Sequence, residues 1–152
     1  MFPREISNRL LLLCLLSHLG GCKGAIRFQA IIFQVQRETR KSGWTSRTFN
    51  YKFIRWSHGA YSKELSMDLK LLTNKGLLEA DSNKVSQKAT KYLDSAKGIS
   101  NLELIPTDSF AELAKTLNQK SLPSLLLQIY EESHMREYKM GKVMQDTLYT
   151  IS

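Results

Sequence analysis

Residues 10–22 read LLLLCLLSHLGGC, and this stretch narrows the possible folds more than any other. A seven-residue apolar run, residues 10–16, follows Arg4 and Arg9, and the stretch ends in Leu19-Gly20-Gly21-Cys22. Two readings fit it. One is a lipoprotein export signal ending before Cys22: a basic start, an apolar centre, small residues, then a cysteine to carry lipid. The other is the first buried helix of a soluble domain, opened by a Ser7-Asn8 cap and stopped by Gly20-Gly21. Ser17 and His18 are polar breaks that an export core rarely holds, and seven residues is the short limit for such a core. Cutting before Cys22 would also uncover the apolar face of residues 26–35. The helix reading is the better one, and with it a cytoplasmic protein without a membrane partner. No run nears the ~20 apolar residues that cross a bilayer.

Periodicity gives the rest of the order. Residues 25–40 set Ile26, Ala30, Phe33 and Arg37 on one line, widened by Ile31, Ile32 and Val35, which predicts a well-buried second helix. Residues 48–56, TFNYKFIRW, alternate Phe49, Tyr51, Phe53 and Arg55 with Asn50, Lys52 and Ile54, a strand pattern that His58-Gly59 turns. Ser62 caps a third helix over residues 63–75, with Leu65, Leu69 and Leu72 inward and Gly76 as its stop. Residues 77–81 and 84–88 read as a hairpin about Ser82-Asn83. Thr90 is expected to cap a short helix ending near residue 96. Asp108 is expected to cap another through residue 117. Pro123 stands in the first turn of a further helix reaching about residue 138, with Ser121 or Leu122 as its cap. One more helix is expected around residues 143–148.

Helix, helix, strand, helix, hairpin is the order of a winged helix-turn-helix. The expected fold class is α+β, mostly helical: a winged-helix domain over residues 7–98, then a helical extension over 99–152. That extension would pack on the core or build a homodimer interface. At 152 residues, 42% hydrophobic and 24% charged, the chain is long enough and apolar enough to bury such a core.

Charge placement supplies the functional expectation. Residues 23–91 hold 14 Lys and Arg against five Asp and Glu, a balance of +9, whereas the remainder holds 8 against nine. So one-sided a segment suits a polyanion, double-stranded DNA first. In a winged helix the third helix enters the major groove and the wing touches the adjacent backbone. Base edges need short polar and cationic side chains, and phosphates need flanking cations. The expected DNA-binding residues are Ser62, Lys63, Ser66, Met67, Lys70 and Asn74 on the third helix, Lys84 and Lys88 on the wing, and Lys52 and Arg55 on the preceding strand. A protein partner, held by an antitoxin or adaptor module of the same fold through the apolar face around residues 126–130, is the alternative.

Three stretches carry a resemblance. RLLLLCLLSHLGGCKGAIRFQAIIFQVQRE has a leucine-rich helix, a glycine joint, and Arg27-Phe28-Gln29-Ala30-Ile31-Ile32-Phe33. YKFIRWSHGAYSKELSMDLKLLTNKGLL has an aromatic strand, a Gly-Ala-Tyr-Ser turn, a Leu-x-x-Asp-Leu helix and a Gly-Leu-Leu exit. SLPSLLLQIYEESHMREY has a hydrophobic-Tyr-Glu centre. Together they resemble the YwgA-type family of small prokaryotic proteins, related to the Panacea antitoxin domain. Ala30 stands where that family usually has lysine, and Ala60 where it has proline. The resemblance implies a winged-helix fold and a regulatory or antitoxin-like role, without catalytic residues.

Other chemistry finds little footing. Cys14, His18 and Cys22 lie four apart, but Gly20-Gly21 breaks the helix that would align them and a fourth ligand is missing, so no metal or other cofactor is expected. Two cysteines make no disulfide framework and read as reduced thiols. No phosphate loop, Ser-His-Asp order or HExxH occurs, and His58 beside Tyr61 and Ser62 reads as a turn residue, so the protein is expected not to be an enzyme. Trp56 is expected to end a packed strand and Trp44 to anchor a loop, rather than to stack on bases.

Overall fold

The computed structural model describes residues 4–42, 49–97 and 107–144. Among them are α1 (Arg4–Leu19), α2 (Ala25–Lys41), β1 (Ile54–Trp56), β2 (Gly59–Tyr61), α3 (Lys63–Asn74), α4 (Gln87–Lys97), α5 (Thr107–Gln119) and α6 (Leu122–Glu132), followed by a 3-10 turn, Met135–Glu137. The fold is mostly helical with a small antiparallel sheet. No helix among the described residues is long and apolar enough to cross a membrane.

The leucine run belongs to the core: Leu11, Leu12, Leu13, Leu15 and Leu16 are all buried. α1 starts at Arg4 rather than at Ser7-Asn8. Asn8 is no cap; it is buried, and its Oδ1 accepts the Asn50 N–H at 2.9 Å. Gly20 and Gly21 end the helix with φ of 71° and 113°, as side-chain-free residues can. At Gly21 a Cβ would also stand 2.9 Å from the Ser82 carbonyl oxygen.

α2 is the central helix, with twelve of its 17 residues buried. It packs on α5, α6 and β2, while α1 packs on α4 and α5. Ala114, Leu117, Leu125, Ile129, Met135 and Met144 share one hydrophobic cluster with the leucines of α1 and with Phe28–Val35 of α2. Arg27 ties the arrangement together: its guanidinium donates to the Asn118 and Lys120 carbonyls at 3.2 and 2.7 Å, a cation at the carboxyl end of α5.

Buried polar groups on such a helix are costly unless they find partners. One face of α2, residues 29, 33, 36 and 40, turns its polar side chains to holding the segment 50–62. Gln36 grips both sides of Tyr51: Nε2 donates to its carbonyl at 2.9 Å, and Oε1 accepts its N–H at 2.8 Å. Gln29 grips Ser62 in the same way, at 2.9 and 2.8 Å. Between them Phe33 meets Phe53 edge-on, with centroids 5.2 Å apart, and Arg40 donates to Asn50 Oδ1 at 2.6 Å.

Residues 49–53 therefore alternate as expected, with Phe49, Tyr51 and Phe53 fully buried, yet ladder pairing starts only at Ile54. Their neighbour is a helix face. β1 pairs antiparallel with β2 (Ile54 with Tyr61, Arg55 with Ala60, Trp56 with Gly59) around a Ser57-His58 turn. On the other side of β1 the chain returns: Val143 bridges Ile54, and Met144 N–H donates to Phe53 O at 2.9 Å. The helix expected around residues 143–148 is thus absent at Val143 and Met144, where extended backbone satisfies the edge of β1; residues 145–148 lie outside the described residues.

The expected wing also differs. Only one bridge forms, Leu78 to Val85, and α4 begins at Gln87, so Lys88 lies in a helical turn rather than on a strand. Ser86 caps α4, accepting the Ala89 N–H at 3.2 Å, in place of the expected Thr90. The turn between Leu78 and Val85 is docked on the α1–α2 joint: Cys22 N–H donates to Ser82 O at 2.8 Å, and Asn83 Nδ2 donates to Cys22 O at 3.0 Å. α6 takes Ser121 as cap but stops at Glu132, because His134 adopts a left-handed conformation, φ 53°. Trp44 and the Asp108 side chain lie outside the described residues.

Gln36→Ala strands the buried N–H and C=O of Tyr51; at ~1–3 kcal/mol per unsatisfied group, urea denaturation is expected to show a loss of about 2–6 kcal/mol. Burial pushes the Cys22 thiol from 9.0 up to about 11, against a smaller pull from Arg27. The neutral thiol's contribution to stability is therefore complete below pH 9.0 and lost as pH rises toward about 11. In a Cys14→Ala background, alkylation of Cys22 at pH 8 is expected to proceed only at the rate of unfolding.

Candidate nucleic-acid interface

α3 is positioned at both ends. At its start, Ser62 Oγ accepts the Leu65 N–H at 3.2 Å while Gln29 holds the Ser62 backbone. At its end, Gly76 turns the chain with φ 75°, and the Leu77 N–H donates to Leu72 O at 2.9 Å. Leu65, Asp68 and Leu72 face inward. Asp68 is a buried carboxylate with two partners: Arg9 Nε at 3.0 Å and the Tyr51 hydroxyl at 2.6 Å. Burial first, and the bond to Asp68 second, push the Tyr51 hydroxyl far above its ordinary pKa.

The outward face is what remains. Lys63, Met67, Lys70 and Asn74 are exposed at i, i+4, i+7 and i+11, one stripe along the helix, with Met67 59% exposed. Ser66 stands half-buried beside them. Lys88 joins the carboxyl end, its Nζ donating to the Lys75 carbonyl at 3.1 Å. Lys52 is exposed near the amino end, where its backbone N–H donates to Glu64 Oε1 at 2.9 Å. With Asp68 turned inward, Glu64 is the carboxylate α3 leaves near that stripe.

Three residues expected at this face are placed otherwise. Ser62 is fully buried, because capping α3 and pairing with Gln29 use its side chain and its backbone. Arg55 turns away from α3: it donates to the Met135 carbonyl at 3.2 Å and to that of Tyr138, and lies 5.5 Å over the Tyr130 ring. Lys84 is exposed, but its stem lies against the α1–α2 joint, Cγ 3.0 Å from where a Gly21 Cβ would be.

One feature escaped the sequence. A cleft of about 300 Å³ opens between the amino end of α2 and the β1–β2 hairpin, lined by Ile26, Gln29, Trp56, His58, Ala60 and Tyr61 among others. Trp56 does not end a packed strand; it is 50% exposed and lines the cleft opposite Ile26 of α2. The only signal was an indole beside a Gly-containing turn, which periodicity cannot distinguish from a packed strand end.

Arg55→Met leaves the carbonyls of Met135 and Tyr138 without their cation, so a loss of about 1–3 kcal/mol in urea denaturation is expected, with faster amide exchange across residues 135–144. Comparison with protein-family models, curated proteins and solved structures finds no match to this chain.

Proposed function

We propose that the protein is a winged-helix-type DNA-binding regulator that lays α3 in the major groove. One observation carries this reading. The exposed stripe of α3 sets Lys63, Lys70 and Asn74 about Met67, while the one carboxylate that could oppose it from mid-helix, Asp68, is buried against Arg9 and Tyr51. A helix so arranged offers Asn74 and Ser66 to base edges and Lys63 and Lys70 to phosphates. Lys88 and Lys52 flank the two ends, and the surrounding stretch of +9 supplies long-range attraction. The docked turn 79–84 replaces a projecting wing, so backbone contact at that end falls to Lys88. The resemblance to the YwgA-type family agrees with a regulatory role.

The exposed Leu127 on α6 favours a second reading, an adaptor that holds a protein partner there. Leu127→Glu would abolish such a complex and leave DNA binding intact.

Duplex binding measured against salt is expected to give a log–log slope of about −4 to −5, corresponding to roughly five phosphate contacts. Lys63→Glu with Lys70→Glu is expected to weaken binding at least about tenfold while moving stability by no more than ~0.5 kcal/mol, as surface changes do. Affinity unchanged in that double variant would end the proposal.

A further inference from the structure

The cleft beside the hairpin has the size and lining of a small-molecule site. Its volume, about 300 Å³, suits a two-ring molecule. Ile26, Ala60 and the rings of Trp56 and Tyr61 give it apolar walls. Among the described residues no carboxylate lines it, and it sits in the stretch of +9, which disfavours a cation there. The Gln29 amide is already engaged on both sides by Ser62. His58 offers a polar contact at the rim: it is exposed in the turn, with Ser57 Oγ 3.2 Å from its Nδ1.

We propose that this cleft binds a small, flat aromatic molecule carrying a hydroxyl or carboxylate, and that its occupant sets the amino end of α3. The ring lies against Trp56 and Ile26, with the oxygen toward His58. The route to α3 is short. β2 forms one wall and ends at Tyr61, directly before Ser62. Gln29, also in the lining, holds both backbone groups of Ser62, and Ser62 Oγ caps α3. An occupant that moves the hairpin relative to α2 loads the Gln29–Ser62 pair, and with it the first turn of α3. The consequence for DNA rests on the reading of α3 given above; binding and the response of α3 do not.

The test uses the full chain labelled with nitrogen-15, with 2-naphthol and 2-naphthoate as probes and decanoate as a flexible contrast. Either naphthalene probe is expected to bind saturably, to shift the Trp56, Ala60 and Tyr61 amides, and to change exchange of the Leu65 amide, which donates to Ser62 Oγ, by at least threefold. Ala25→Trp, which fills the cleft from its exposed rim, is expected to weaken binding at least tenfold with the unfolding midpoint retained. Trp56→Ala, which removes a wall, is expected to do the same. Absence of shifts at those amides overturns the site. Tighter binding of decanoate overturns the aromatic class. Binding without a change at Leu65 overturns the link to α3. Duplex affinity is measured separately with and without probe. A chain that binds no DNA at low salt refutes the DNA reading alone, because the amide shifts and Leu65 exchange are read without DNA.

Discussion

Two glutamines on one face of α2 set the geometry of the molecule. Gln29 and Gln36 stand seven residues apart, two helical turns, and each presents its amide edge as a strand would present a peptide group. A side-chain amide carries one acceptor and two donors, so it can satisfy the N–H and C=O of a single residue at once. Tyr51 and Ser62 are the residues held, and they bracket the β1–β2 hairpin. The hairpin is thus fixed at both ends to the most buried helix, and α3 begins at the second clamp. Apolar packing of Phe33 on Phe53 fills the space between, but it has no direction; the amides give the register.

The same logic explains the electrostatics. Asp68 sits on the inner face of α3 because Arg9 and Tyr51 meet it there, and removing either partner would leave a buried carboxylate under-satisfied. The outer face is then free of that charge. Burying one carboxylate therefore does two things: it joins α1, α3 and the 49–53 segment, and it leaves a cationic stripe outward.

The sequence carried some of this plainly. The 3.6-residue period placed α2 to within a residue, and the Ser62 cap, the inward leucines and Gly76 delimited α3. The alternation of Phe49, Tyr51 and Phe53 showed which side chains point in, but could not show that a helix rather than a strand lies opposite. Nothing in the pattern separates a clamping glutamine from a solvated one, so Gln29 and Gln36 read only as polar interruptions of an apolar stripe. The same gap hid the packing of Ser62 and Arg55. Both are residue types that DNA interfaces use, and here backbone carbonyls and N–H groups elsewhere in the fold claim them. The outward residues of α3 were legible because exposure follows from helical spacing alone. The wing failed because residues 77–88 need only one bridge once the turn docks on Cys22 and Ser86 caps α4.

The return of residues 141–144 along β1 has a consequence of another kind. Without it, the backbone of Phe53 and Arg55 would present unpaired N–H and C=O groups on an aromatic-rich strand, an open template for a second chain. With Val143 bridged to Ile54, β1 lies between two neighbours, and the edge strand left is the three-residue β2, half-buried against α2 and beginning at a glycine. Proteolytic loss of the segment after Tyr138 would therefore open β1 to a second chain and, by removing the buried Met144, loosen the core packed against it.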